Sequence, residues 1–429
     1  MRLLHFADLH LGSGLHHGRL NPATGFNTRL EDFVASLRRC VDAALSLPVD
    51  LVLFAGDAFP DATPPPLHQD LFAQQIRRLA DAGIPTVLLV GNHDQYGQGQ
   101  EGSSLSLYRT LGVPGVIVGD QLATHRIKTP AGPVQVTTLP WISRSTLLAK
   151  QESLPSPENL DQMLLQRLSL ALEAEIRQLQ PQIPAILLAH VMVDRAQYGS
   201  ERQLAVGKGF TIPLSLLCRP EYHYVALGHV HRHQVLASDP PVIYPGSPER
   251  VDFGEEQEEK GYVLVNLEPH QPTHYQFIPL PARPFRTLRL DCSPFPPGSP
   301  ELETYIQQSL RQANCSQAIV RVFYRHRPDQ TLDPQLWQQP LATAFSYSLH
   351  PEMIQPPRLR LPHLASGDPW QALKDYLQTR PDLGPLHQDM LKAAAELMTA
   401  PQPAPQPAPQ PAWEDSPEET AIQLGLLEP

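Results

Sequence analysis

Five short apolar runs each end in side chains of the kind that bind metals. LLHFA runs into Asp8-Leu9-His10, LVLFAG into Asp57, TVLLVG into Asn92-His93-Asp94, AILLA into His190 and YVALG into His229-Val230-His231. Runs of this length, apolar on both faces, read as buried strands of a layered α/β domain. In such sheets the residues just past the strand ends meet, however far apart they lie in the chain. Gly56, Gly91 and Gly228 stand at three of the five junctions, where they are expected to let the backbone turn sharply. Strands are expected over residues 3–7, 51–55, 86–90, 134–138, 185–189, 224–227, 242–244 and 262–265. Helical stripes at three-to-four spacing run through Leu30, Phe33, Leu37, Val41 and Leu45, and through Leu164, Leu168, Leu172, Ile176 and Leu179.

Asp8, His10, Asp57, Asn92, His190, His229 and His231 form an oxygen and nitrogen donor set without sulfur, suited to manganese, iron or zinc. Seven donors exceed the needs of one ion. The economical arrangement is a pair of ions sharing a carboxylate and activating a water for in-line attack on phosphorus. Each fragment alone is weak: Gly-Asn is a common turn pair, and His-Val-His places two residues on one face of a strand. Their joint occurrence, each at a strand end, carries the reading. Histidines elsewhere, His5 and His68 among them, are expected to be structural or solvated.

Composition narrows the options further. Of 429 residues 48 are proline, and the net charge of −11 excludes a basic envelope for nonspecific capture of nucleic acid. Residues 281–330 reverse that sign, with seven arginines against four acids, and are the place to look for phosphate contacts. Cys40, Cys218, Cys292 and Cys315 form no C-x-x-C pair, so neither a disulfide framework nor a thiolate zinc site is indicated. With no signal-type leader and no apolar stretch of about 20 residues, no membrane span is expected, and the expected location is the cytoplasm. The chain is expected to divide into a large domain at 1–280, a small α/β unit at 281–345, two short helices within 366–399, and an extended Pro-Ala-Gln and acidic tail at 400–429.

The ordered motifs D-x-H, G-D, G-N-H, H and G-H-x-H resemble those of the calcineurin-like metallophosphoesterase superfamily. Within it MRLLHFADLHLG, LVLFAGDAF, VLLVGNHD, ALGHVHRHQ and YPGSPERVDFGE, spread over residues 1–265, are similar to the SbcD branch of nuclease subunits. The resemblance implies a layered β-sandwich flanked by helices. It implies that Asp8, His10 and His231 hold one ion, that Asn92, His190 and His229 hold the other, and that Asp57 bridges the two, with Mn²⁺ as the favoured metal. His93 is then the general acid toward the leaving 3′ oxygen. It further implies 3′-to-5′ exonuclease and endonuclease action on double-strand DNA ends and hairpins, and a capping domain at 281–345 that contacts DNA. The helices near 370–398 would bind an SbcC-type coiled-coil ATPase, with a homodimer inside a heterotetramer.

One departure stands out. Family members place an Asp or His three residues after the bridging Asp to support the catalytic His, and here that position is Pro60. Asp61, displaced by one residue, is the expected substitute. Ser247, Glu249 and Arg250 are either a structural turn or a substrate contact. Two competing readings remain at this level: a phosphodiesterase or phosphatase of small molecules, which would need no arginine-rich unit, and a mainly DNA-tethering subunit with weak catalysis, which Pro60 would explain.

Overall fold

A computed structural model of the chain describes residues 1–96, 102–142, 157–199, 211–268, 271–330, 332–354, 368–378 and 380–399. The first sheet is built from Arg2–Phe6 (β1), Leu51–Phe54 (β2), Thr86–Leu89 (β3) and Val116–Gly119 (β4), parallel to one another. The second takes Ala123–Thr129 (β5), Gly132–Leu139 (β6) and Ala185–His190 (β7), and a two-residue pair, Met192–Val193 (β8) with Thr211–Ile212 (β9), stands apart. Tyr224–Gly228 (β10), Gln234–Ser238 (β11) and Pro241–Tyr244 (β12) complete the second sheet, in the order β11-β12-β10-β7-β6-β5. Lys260–Asn266 (β13) and His274–Leu280 (β14) return to the first, giving β14-β13-β1-β2-β3-β4.

The two sheets lie face to face, and alternation along each strand shows it. Leu51, Leu53 and Ala55 point into a core shared with Val134, Ile186, Leu188 and Ala226 of the second sheet. Val52 and Phe54 point the other way, against Phe33, Leu37 and Phe72 of the helices Thr28–Ser46 and Pro66–Asp81. On the far side Leu187, Ala189, Val225 and Leu227 pack against Leu164, Leu168 and Leu172 of the helix Pro157–Ile176. Strands covered on both faces must be apolar at successive positions, which is why they read as unbroken runs. This is the layered sandwich flanked by helices that the motifs imply.

All eight expected strands are present, and all lie inside the sheets or beside an edge strand. Within the two six-stranded sheets, the four strands that the sequence did not show, β4, β5, β11 and β14, are the four edges. Edge strands carry polar and exposed side chains, as in ATHRIKT of β5, so their apolar pattern is weak.

Phe285–Asp291 (β15), Ile319–His326 (β16) and Ser346–Met353 (β17) form a parallel three-stranded sheet. Leu288, Leu290, Val320 and Val322 pack on the helix Pro300–Gln312 through Leu302, Ile306 and Leu310. The sheet extends past the expected boundary at residue 345, since β17 lies wholly beyond it. The chain divides into two compact units, Met1–Ile354 and Gln355–Pro429, so the three-stranded sheet belongs to the first. Its linker is held tightly. Buried Arg29 pairs with Glu249 at 3.2 Å and Asp32 at 3.0 Å, and Asp32 also takes the Arg283 guanidinium at 2.6 Å. Glu249 accepts the Arg283 amide at 3.0 Å, and Arg250 donates to the carbonyls of Ala282, Arg283, Glu255 and Glu258. These side chains are engaged internally, so the G-S-P-E-R segment is a structural tie at the linker.

In the second unit the helices Pro369–Gln378 and His387–Thr399 flank a 3-10 turn, Pro381–Leu386. Leu386, Met390 and Leu397 are exposed. Residues 366–367 and the Pro-Ala-Gln tail lie outside the described residues. The four cysteines are free, and no helix among the described residues is long and apolar enough to cross a membrane.

Candidate metal centre

The parallel ends of β1, β2 and β3 meet those of β7 and β10, and the junction residues converge there. Ligand atoms of Asp8, His10 and His231 lie within 4.8 Å of one another, as do those of Asp57, His190 and His229, and those of His10, Asp57 and His93. His10 and Asp57 each belong to two of these groups, so the three join in one cluster. Asn92 closes it, its Oδ1 lying 3.0 Å from His190 Nε2 and 2.9 Å from His229 Nδ1. Every residue expected to ligate metal is therefore at one place.

The local backbone shows what this convergence costs. Asp8, His10, Asp57 and His229 all have positive φ, at 54°, 46°, 58° and 104°. Non-glycine residues held there cost about 1–3 kcal/mol each and persist only when surrounded by enforcing contacts. Those contacts are visible. The Asp8 amide donates to Gly56 O at 2.9 Å, the His10 amide to Asp57 O at 3.1 Å, and the His229 amide to Asp8 Oδ1 at 2.9 Å. Of the junction glycines only Gly56 turns with positive φ, at 97°. Gly91 and Gly228 serve close approach instead: a Cβ on Gly91 would fall 2.1 Å from Asp57 Oδ1, and one on Gly228 2.0 Å from Ala55 O.

The donor set fits cations. His190 Nδ1 lies 2.7 Å from Ala55 O, a carbonyl that only accepts, so Nδ1 carries a proton. Its Nε2 then faces two further acceptors, Asp57 Oδ2 at 3.3 Å and Asn92 Oδ1 at 3.0 Å. His231 Nδ1 is bound to the Glu255 carboxylate at 2.6 Å, which turns its Nε2 toward His10 Nε2, 3.0 Å away. His229 Nε2 is buried with no hydrogen-bond partner. Lone pairs gathered like this need a proton or a metal ion between them.

Charges around the cluster follow from burial and neighbours. Burial alone would raise Asp57, but His190 and His93 outweigh it and hold the carboxyl well below its usual range. Burial lifts Asp8 to about 7 although His190 and His231 face it. Burial also disfavours a charged His190, yet Asp57 and Asp8 raise that ring to about 9. A raised histidine stabilises the fold below its ordinary value of 6.5, and the contribution is lost as pH climbs toward 9. In chelator the first unit is therefore expected to lose roughly 3 kcal/mol of stability between about pH 6.5 and 9. Excess divalent cation should reverse the trend, because its ligands must be unprotonated. Thermal unfolding across that range checks this; a metal-free protein that becomes more stable with pH would show that the His190–Asp57 charge pair is absent.

His93 and Asp61 are not brought together. Asp61 is exposed and accepts from Thr63 N at 2.8 Å and Thr63 Oγ1 at 2.9 Å. His93 Nδ1 instead donates to the backbone carbonyl of Pro60 at 2.8 Å. The expected substitution by Asp61 is thus corrected: the residue that cannot supply a side-chain acceptor supplies its main-chain one.

Three supporting residues were not assigned from sequence. Asp94, fully buried, accepts the amides of Asp57, Ala58 and Gly91 at 2.8, 3.0 and 2.9 Å and so pins two junctions to each other. Glu255 orients His231 and is itself held by buried Lys260 at 2.7 Å. Trp141 stacks on His229 with ring centroids 4.8 Å apart. His5 is structural, bridging the sheets through Tyr224 OH at 2.9 Å and Leu227 O at 3.1 Å.

Comparison with known proteins places the chain in a family. The family model for calcineurin-like phosphoesterases matches residues 1–233. The SbcD component of the SbcCD nuclease of Bacillus subtilis is 28% identical over 288 residues, 65% of this chain and 69% of that protein. Its counterpart from Rhodobacter capsulatus is 31% identical over 314 residues, covering 68% of this chain and 71% of that one. The DNA double-strand break repair protein Mre11 of Haloferax volcanii is 28% identical over 335 residues, 76% of this chain and 61% of that protein. With its junction residues gathered at one sheet edge and the family model spanning all of them, the chain belongs to the calcineurin-like phosphoesterase family, on the branch that holds the SbcD nuclease subunits.

Proposed function

We propose that the protein is a two-metal DNA nuclease acting as a 3′-to-5′ exonuclease and endonuclease at double-strand ends and hairpins. The observation that carries the reading is the single cluster of Asp8, His10, Asp57, Asn92, His190, His229 and His231, in which Asp57 belongs to both halves. Asp8, His10 and His231 would hold one ion, Asn92, His190 and His229 the other, and Asp57 would bridge, with Mn²⁺ the metal assigned from the resemblance. When bound, the ions polarise the phosphoryl oxygens and supply an attacking water at neutral pH. The protein contributes order around them. Ala55 O and Glu255 fix the tautomers of His190 and His231, and Asp94 ties the Asp57 junction to that of Gly91.

His93 sits beside His10, ring centroids 4.9 Å apart, with one ring nitrogen held by Pro60 O and the other left to pass a proton to the leaving 3′ oxygen. Because Pro60 supplies that partner, its presence gives no ground for preferring a mainly DNA-tethering subunit with weak catalysis. The unit at 281–345, extended by β17, is assigned to DNA contact on the strength of its arginines. The exposed Leu386, Met390 and Leu397 support a docking role toward an SbcC-type coiled-coil ATPase. Exposed Leu107 and Leu111, lining a cleft with Ala73 and Ile76, support a homodimer within a heterotetramer. A cytoplasmic location completes the assignment.

Cleavage of single-stranded and duplex DNA beside a chromogenic diester, with Mn²⁺ and with chelator, tests the function. DNA should be cut in Mn²⁺ only. His93→Ala should slow the cut by about 10²–10⁴-fold with the metal content unchanged. Efficient turnover of the small ester with no DNA cleavage would identify a small-molecule phosphodiesterase instead.

A further inference from the structure

The three-stranded sheet buries one face and opens the other, and the open face has an ordered composition. Arg289, Phe323 and His350 stand side by side in register across β15, β16 and β17. The Arg289 guanidinium lies 4.5 Å from the Phe323 ring centroid. Phe323 and His350 stack, their centroids 5.0 Å apart and their planes 28° from parallel. One step back along β16, Arg321 lies over Phe253 at 4.2 Å. One step forward is Arg325, and the side chains of Arg289 and Arg325 are 70% and 56% exposed. Phe253 begins the 3-10 turn Phe253–Glu255, whose last residue orients His231. The face therefore starts at the turn that supports the metal cluster and runs outward along the sheet.

Part of this pattern is ordinary surface chemistry. Arg289 and Arg325 each approach an acid, Glu352 at 3.7 Å and Asp291 at 3.9 Å, and such exposed pairs contribute little. What they do not account for is a stacked pair of rings, Phe323 and His350, with guanidinium groups beside them on the part of the sheet beyond Phe253. Aliphatic side chains are nearly absent from it, which disfavours a protein partner. A duplex hides the faces of its bases, whereas an unpaired strand offers bases for stacking and phosphates for arginine along the same path.

We propose that this face is a stacking platform for unpaired nucleotides of a DNA strand, with Phe323 and His350 as the base-contacting rings and Arg289, Arg321 and Arg325 along the backbone. The proposal rests on the nuclease reading and names the substrate form that the unit prefers: a DNA end with a single-stranded extension.

The test uses the full-length protein in chelator, which blocks cutting. Fluorescence anisotropy compares a blunt duplex with the same duplex carrying a single-stranded tail of about 10 nucleotides, a length within the range of single-strand sites. The wild type should bind the tailed duplex more tightly. Phe323→Leu, which keeps an apolar side chain but removes the ring, and His350→Ala, at an exposed position, should each weaken tailed binding about tenfold. Blunt binding should shift less than twofold. Thermal unfolding confirms that each variant is folded, and His350→Ala decides the matter should Phe323→Leu fail to fold. Equal binding of both duplexes by the wild type, or variants that hold the tailed duplex as the wild type does, overturns the platform and leaves the nuclease reading standing. A wild type that binds neither DNA yet hydrolyses a small diester overturns both.

Discussion

Asparagine in place of Asp57 is expected to reduce phosphodiester hydrolysis by at least about a thousandfold, the equivalent of some 4 kcal/mol of transition-state stabilisation by metal ions. Asp57 is the one carboxylate that belongs to two of the three ligand groups found among the described residues, so its charge serves both halves of the cluster. Its Oδ2 lies 3.3 Å from His190 Nε2 and 3.6 Å from His10 Nε2, while Oδ1 accepts the His93 amide at 2.9 Å. Asparagine keeps the shape and one acceptor, so the turn should survive, pinned as it is through the Asp57 amide to Asp94. The loss is one of charge. His190 would no longer face a carboxylate on that side, and the two ions would lose the ligand proposed to join them. Elemental analysis should find fewer than two ions per chain, and in chelator the unfolding midpoint should drop at pH values under about 9, where the wild type keeps the His190–Asp57 charge pair. A variant that keeps two ions and activity within tenfold of the wild type would remove Asp57 from the bridging position.

The interior of this fold is legible in the sequence because it is covered on both sides. Leu51 to Phe54 must satisfy one core with alternate residues and a second core with the others, so every position is apolar. The edges are not legible for the converse reason: β5 and β11 meet solvent with half their residues and look like loops. The ligands were readable because each follows an apolar run directly, so topology alone carried them to one sheet edge. Their supports were harder to see. Glu255 and Lys260 lie in a stretch rich in charge, and nothing local marks the two that are buried. Spacing also misled at Pro60, where side-chain logic pointed to Asp61 and the backbone carbonyl of Pro60 provided the partner. A main-chain acceptor has no sequence signature.

Methionine in place of Arg29 is expected to destabilise the first unit by about 3–5 kcal/mol, the usual consequence of removing one partner from a buried ion pair. Arg29 is fully buried, lies 4.5 Å from the Phe33 ring centroid and shares Glu249 with Ser36 Oγ at 3.1 Å and the Arg283 amide at 3.0 Å. Methionine would fill most of the space but leave the Glu249 carboxylate, 1% exposed, without its cation. Burial already raises Glu249 above its ordinary range against the pull of Arg29, so the orphaned group would take up a proton more readily still. Adding Glu249→Gln to Arg29→Met should therefore recover at least about 1 kcal/mol, a coupling within the range for contacting residues. Urea unfolding of the two single variants and the double variant measures it. Because Glu249 and Arg250 also grip residues 282 and 283, the single variant should loosen the linker to β15, seen as faster amide exchange there. A cost below about 1 kcal/mol, or a double variant no more stable than Arg29→Met alone, would mean that the tie between sandwich and small sheet rests on apolar packing around Phe33 and Phe285 rather than on this charge network.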